Sequence, residues 1–208
     1  MKVRAFCFAT ALLLLAILLS VPTMAAELIL HPYGSPNVRY QFFDGDIPGA
    51  VYALTYDDSS WPVGPAPFGS DGMWTPAYGL PPIECQTNPA TVWDPHRLYL
   101  VLRIWVDVPE DAQGFRVSDR DVSNSELMSI NGIGWGSHTG NRSYCPWQVA
   151  DYWPSWSYLH RGRNLIVVSS GSGFPYTGFT YLDVEIATYM PTVANEPSTW
   201  GRTKALFR

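Results

Sequence analysis

Stretches in which hydrophobic and polar positions alternate with a period of two recur along the chain, and no long stretch keeps the 3.6-residue period of a helix. The clearest case is residues 98–108. Leu98, Leu100, Leu102, Ile104, Val106 and Val108 share one parity, and Tyr99, Val101, Arg103, Trp105 and Asp107 share the other. This predicts a strand with one core face and one amphipathic face. Residues 179–189 repeat the pattern, with Leu182, Val184 and Ile186 inward and Tyr181, Asp183 and Glu185 away. Shorter strands are predicted over 27–32, 38–43, 51–56, 115–122, 126–131 and 165–169. Asn131-Gly132 within 128–135 predicts a tight hairpin, because both residues accept positive φ. Residues 155–162 read as one helical turn, with Ser155 as cap and Gly162 as terminator. About eight strands with turn-rich joints predict an all-β protein, a two-sheet jelly-roll sandwich with one short helical turn.

Three segments break the alternation. Residues 61–82 carry six Pro and four Gly, yet also Trp61, Phe68, Trp74 and Tyr78, so an ordered loop over a sheet edge is expected rather than a linker. Residues 191–208 form a polar stretch expected to be a flexible C-terminal tail. At the other end, Lys2 and Arg4 precede an apolar run over 9–21, followed by the small residues Thr23, Ala25 and Ala26. That is the pattern of a signal peptide over 1–26, and its apolar part is short of the roughly 20 residues a spanning helix needs. The expected organisation is a signal peptide at 1–26, a β-sandwich domain at 27–190 and a tail at 191–208, with a secreted or cell-surface location and no stable membrane span after cleavage.

Composition sharpens this picture. Charged residues make up 15% of the chain and aromatics 14%, which excludes a disordered chain and a coiled coil. The formal charge is −5, and loss of Lys2 and Arg4 with the leader makes it −7, because all 18 carboxylates lie beyond residue 26. No run of Lys or Arg exists, so no nucleic-acid partner is expected. Cys7 leaves with the leader, and the remaining Cys85 and Cys145 are expected to form one disulfide in an oxidising compartment. Closing a loop of roughly 60 residues contributes about 4 kcal/mol on the chain-entropy estimate.

Several motifs, taken in order, resemble the galactose-binding-like β-sandwich modules of extracellular proteins. Asp57-Asp-Ser-Ser-Trp61 with Gly64-Pro-Ala-Pro-Phe-Gly69 is similar to their opening. The 98–108 strand resembles the one they place next, and Ser125-Glu-Leu-Met-Ser-Ile-Asn-Gly132 their segment ending in an Asn-Gly hairpin. Leu159-His-Arg-Gly162-Arg-Asn164 followed by an apolar strand resembles another of their elements, and 179–186 would be the closing strand. Asp121-Val-Ser-Asn124 stands where these modules usually carry an acidic or Asp-Asn cluster. The resemblance implies a jelly roll that is often sugar-binding and often found beside glycosidases.

The chemistry-bearing residues point to binding. No nucleophile elbow, His-Glu-x-x-His, phosphate loop or dinucleotide fingerprint is present, and His31, His96, His138 and His160 lack metal-ligand spacing. Asp183 and Glu185 share a strand face, as a hydrolase pair would. The plainer reading pairs them with Arg103 across neighbouring strands, and no enzyme is expected. Residues 135–156 are different. Trp135, Trp147, Trp153 and Trp156 offer flat faces for a pyranose, and His138, Asn141, Arg142 and Asp151 offer partners for its hydroxyls. Asn141-Arg-Ser143 also fits a glycosylation sequon. Asp44-Gly-Asp46, Asp57-Asp58 and Asp119-Arg-Asp121 offer hard oxygen ligands for a structural Ca²⁺, read as loop residues. The expectation is an exported, non-catalytic module that binds carbohydrate, a cell-surface glycan among the candidates. The alternative is a self-assembling subunit of a surface layer, fibre or adhesive assembly.

Overall fold

A computed structural model describes residues 26–69, 72–73, 86–87, 89–94, 97–122, 125–139, 148–172 and 180–191. In chain order the strands are β1 (Ala26–His31), β2 (Val38–Phe43), β3 (Val63–Gly64), β4 (Phe68–Gly69), β5 (Gly72–Met73), β6 (Gln86–Thr87), β7 (Thr91–Val92) and β8 (Tyr99–Val108). They continue with β9 (Gly114–Val122), β10 (Ser125–Ile130), β11 (Ile133–Thr139), β12 (Gln148–Tyr152), β13 (Gly162–Gly171) and β14 (Tyr181–Met190). One six-stranded sheet runs β12-β9-β14-β4-β7, with β1 also paired to β14, and the other runs β11-β10-β13-β8-β2-β3. The fold is all-β, a two-sheet jelly-roll sandwich, and residues Glu27–Met190 form one compact unit.

The period-two pattern explains the core. Leu100, Leu102, Ile104, Val106 and Val108 of β8 meet Ile166 and Val168 of β13, and Leu182, Val184 and Ile186 of β14 close on them from the opposite sheet. Phe115 and Val117 extend that face on β9, and Met128 and Ile130 on β10. The other parity of β8 is not left to water. Val101 joins Leu165, Val167, Val51 and Trp61 in a second cluster on the outside of its sheet, with Phe43, Ile47, Tyr52 and Tyr56 around it. Arg103 is buried there. Its Nε donates to Asp58 Oδ2 at 2.7 Å, its Nη atoms reach the carbonyls of Val51 and Ala53, and its guanidinium lies over the Tyr56 ring.

The turns follow their residues. Asn131 and Gly132 take φ values of 52° and 83° and join β10 to β11. Asn131 then ties three segments together. Its Nδ2 donates to Tyr158 O and Asn164 Oδ1, and its Oδ1 accepts from Leu165 N. Asn164 closes the turn ahead of β13, accepting from His160 N and donating to the carbonyls of His160 and Gly162. Because this side chain takes up the local backbone groups, 155–162 is a hydrogen-bonded turn and not the expected helical turn. Gly162, at φ 84°, opens β13 rather than ending a helix.

Two other expectations need correction. Residues 51–56 are not a strand: a 3-10 turn spans Gly49–Tyr52 and inserts Val51 into the second cluster. The 61–82 segment does more than cover an edge. In its described part, β3 pairs with β2 in one sheet and β4 pairs with β14 and β7 in the other. Cys85 and Cys145 lie outside the described residues, as does the tail beyond residue 191.

Candidate functional site

On the outer face of the first sheet, β9 turns Arg116 and Ser118 away from the core, β14 turns out Asp183, Glu185 and Tyr189, and β12 turns out Asp151 opposite Ser118. Arg116 is the hub of this face. Its Nη2 donates to Glu27 Oε1 of β1 at 2.6 Å and to Glu185 Oε1 at 2.9 Å, and its Nη1 donates to Asp151 Oδ1 at 3.1 Å. Burial works against the guanidinium charge, but the three carboxylates outweigh it and hold the proton more tightly than usual. Asp151 also accepts from the Ser118 hydroxyl, and this bond, followed by Arg116, keeps its carboxyl below the usual range.

Beside the hub lies an aromatic platform. The chain leaves β12 at Tyr152, and the next residue, Trp153, stacks on Tyr189 with ring centres 5.4 Å apart and planes 24° from parallel. The Tyr189 hydroxyl donates to Glu27, which fixes its ring to the same network. Trp153 remains 58% exposed.

The structure divides the site residues expected from sequence. Asp151 and Trp153 come together on this face. Trp156 is exposed elsewhere, in the turn before β13, with the Arg161 guanidinium 3.8 Å from its ring centre. Trp135 is half-buried, with Tyr152 and Tyr158 edge-on to its ring, and it packs against the main core. Trp135 thus packs against the core rather than joining Asp151 and Trp153 on this face. His138 lies on β11, its Cα opposite that of Glu126. Asn141, Arg142 and Trp147 lie outside the described residues. Arg116, Tyr189 and Glu27 complete the face and were not expected, because they enter through strand order rather than sequence proximity.

The expected pairing of Asp183 and Glu185 with Arg103 does not occur, because β14 and β8 belong to different sheets. Glu185 pairs with Arg116 and Arg103 pairs with Asp58. Asp183 is 3% exposed, and both its oxygens accept from Gly34 N, at 3.1 and 3.2 Å. Burial raises its pKa to about 6, against the opposing pull of the Gly34 hydrogen bond and of Arg120. Arg120 in turn lies 3.8 Å from the centre of the Tyr33 ring.

Of the acidic pairs considered for calcium, two are taken up differently. Asp44 pairs with Arg97, Asp57 accepts from Ser59 N, and Asp58 pairs with Arg39 and Arg103. Asp119 and Asp121 are strand residues of β9 rather than loop residues, and they are buried. With Glu126 of β10, also buried, they bring one carboxylate oxygen each to within 4.8 Å of the others.

No protein-family profile matches the sequence, and no curated protein matches it. Solved structures do. The D341A D367A calcium-binding mutant of Bacteroides uniformis β-glucuronidase 2 is 15% identical with a TM-score of 0.51, over 78% of this chain and 18% of that one. Bifidobacterium dentium β-glucuronidase is 14% identical with a TM-score of 0.48, over 79% and 30%. A β-glycosidase from Bacteroides vulgatus is 19% identical with a TM-score of 0.44, over 76% and 20%. The chain therefore spans less than a third of the length of each. The likeness is one of fold alone, that of a two-sheet β-sandwich.

Proposed function

We propose that this protein is an exported, non-catalytic module that binds carbohydrate on the outer face of its first sheet, at the Trp153–Tyr189 platform. The observation that carries the reading is the stacked aromatic pair, more than half of Trp153 open to solvent, set directly beside Asp151 and Arg116. A pyranose presents an apolar C–H face and a rim of hydroxyls. An indole accepts the first, and an ionised carboxylate with a guanidinium serves the second. The face is also pre-organised, since Arg116 locks four strands' side chains before any ligand arrives, which lowers the ordering cost of binding. Export rests on the leader pattern of residues 1–26. The accessory role is in keeping with the fold likeness, in which the corresponding segment makes up 18% of a β-glucuronidase chain.

A glycan array probed with the purified protein tests this. The expected result is a selective signal that falls about tenfold or more in Trp153→Ala, equivalent to at least ~1.4 kcal/mol, and stays unchanged in Trp156→Ala. Binding that survives Trp153→Ala intact would remove the platform from the account. Loss in Trp156→Ala alone would move the site to the turn before β13.

A further inference from the structure

We propose that the glycan taken at the Trp153–Tyr189 platform carries free amino groups, as a polymer of 2-amino-2-deoxy sugars does, and that the face excludes glycans bearing carboxylates. This assignment rests on the carbohydrate reading above and adds to it the charge of the ligand.

A guanidinium has five N–H donors, and each of those on Arg116 meets an acceptor within the protein. Its Nε donates to Glu27 Oε1 at 3.1 Å. Its Nη1 donates to the Ser118 hydroxyl and to Asp151 Oδ1, the latter at 3.1 Å. Its Nη2 donates to Glu27 Oε1 at 2.6 Å and to Glu185 Oε1 at 2.9 Å. No donor is left to clamp the carboxylate of an acidic sugar, which is how an arginine selects an anion.

The carboxylates are in the opposite condition. Glu27 and Asp151 each meet Arg116 through one oxygen, and among the described residues nothing donates to Glu27 Oε2 or Asp151 Oδ2. Their side chains are 39% and 48% exposed, against 14% for Arg116, so a ligand meets the carboxylates and not the cation beneath them. Ionised carboxylates accept hydrogen bonds and donate none. Counting charge gives the same direction. Three carboxylates surround one guanidinium, a formal excess of two negative charges. Arg116 and Arg120 are the only Lys or Arg residues on β1, β9, β12 and β14, and Arg120 stands opposite Asp183 in the register.

A sugar ammonium answers each of these conditions. It brings donors and a positive charge, its hydrogen bonds to a carboxylate are charge-assisted, and an indole face attracts it further. Both acceptors are tied to the platform that would hold the ring. Asp151 precedes Trp153 by two residues, and Glu27 accepts from the Tyr189 hydroxyl at 3.3 Å. Trp156 offers the contrast. It is 39% exposed, yet the Arg161 guanidinium sits 3.8 Å from its ring centre, so a cation already lies over that indole.

Calorimetry of the purified protein with three oligosaccharides tests the assignment: a glucosamine hexamer, its fully N-acetylated counterpart and an oligogalacturonate. Low salt and a mildly acidic buffer keep the sugar amines protonated. The glucosamine hexamer should bind at least about tenfold tighter than the acetylated one, equivalent to ~1.4 kcal/mol, and added salt should shrink that ratio. Glu27→Gln and Asp151→Asn keep an oxygen for Arg116 and remove one charge each, so each should cut the ratio by about threefold or more. Trp153→Ala should weaken both hexamers, and Trp156→Ala neither. Equal affinity for the two hexamers, or an oligogalacturonate bound as tightly as the glucosamine hexamer, would overturn the amino-sugar assignment, while Trp153-dependent binding would keep the carbohydrate reading in place. A ratio undiminished in Glu27→Gln and Asp151→Asn would also overturn it. So would an oligolysine of the same charge that binds as tightly and ignores Trp153→Ala, because the face would then be a sink for any polycation. If none of the three oligosaccharides binds, the assignment falls, and the glycan array alone decides the broader reading.

Discussion

Replacing Asp183 by Asn should make the protein more stable at neutral pH, not less. Asp183 is buried, and burial lifts its pKa from the ordinary 3.8 to about 6. In the folded state the neutral acid is therefore favoured. The stability this contributes is fully present below pH 3.8 and is lost as pH rises through about 6. The difference between the two values corresponds to about 3 kcal/mol of penalty at pH 7.5. Asparagine never acquires that charge, and its Oδ1 can still accept from Gly34 N. Losing the second oxygen of the paired contact costs about 1 kcal/mol. The expected net gain is roughly 2 kcal/mol at pH 7.5, falling through zero and then reversing by about 0.5 kcal/mol near pH 4. Urea unfolding of both proteins across pH 4–8 reads this directly, because subtracting one curve from the other cancels every other titrating group. A variant destabilised as much at pH 7.5 as at pH 4 would show that Asp183 is held as a carboxylate by Gly34 and Arg120, and the burial argument would fail.

Two further substitutions probe the frame around the sites. Arg103→Met should lower stability by about 3–5 kcal/mol, because Asp58 and the carbonyls of Val51 and Ala53 lose a buried donor; a loss under 1 kcal/mol in urea unfolding would refute it. Asn131→Ala should cost about 2–4 kcal/mol, since one amide serves Tyr158, Asn164 and Leu165 and sits at positive φ. Amide exchange should accelerate first at the hairpin and the turn before β13, and uniform acceleration over the whole domain would speak against a local pin.

Much of the architecture was legible because the inter-sheet core imposes strict alternation. The parity of 98–108 and 179–189 gives β8 and β14 with their inward residues, and Asn131-Gly132 gives the hairpin. What parity could not convey is which residues cover the outer faces. Val101 and Arg103 read as the wetter side of β8, yet residues 44–61 fold over them from far along the chain with no period of their own. For the same reason 51–56 reads as a strand although no described strand pairs with it. The proposed binding face was half visible, since Asp151 and Trp153 are near in sequence, whereas Arg116, Glu27 and Tyr189 depend on the order of strands within a sheet. Trp135 lies apart from that face, with Tyr152 and Tyr158 edge-on to its ring. The acidic cluster had a signal that turn chemistry obscured: Asp119 and Asp121 fall on the same parity as Phe115 and Val117.

The strap between β3 and β4 has a mechanical consequence. Gly64 is hydrogen-bonded into one sheet and Phe68 into the other, with only residues 65–67 between them. A force that shears one sheet across the other would load this link before the apolar interface had travelled a single residue step. The two sheets cannot creep past one another independently, so under tension the sandwich should hold its alignment until β3 or β4 tears out and then yield all at once.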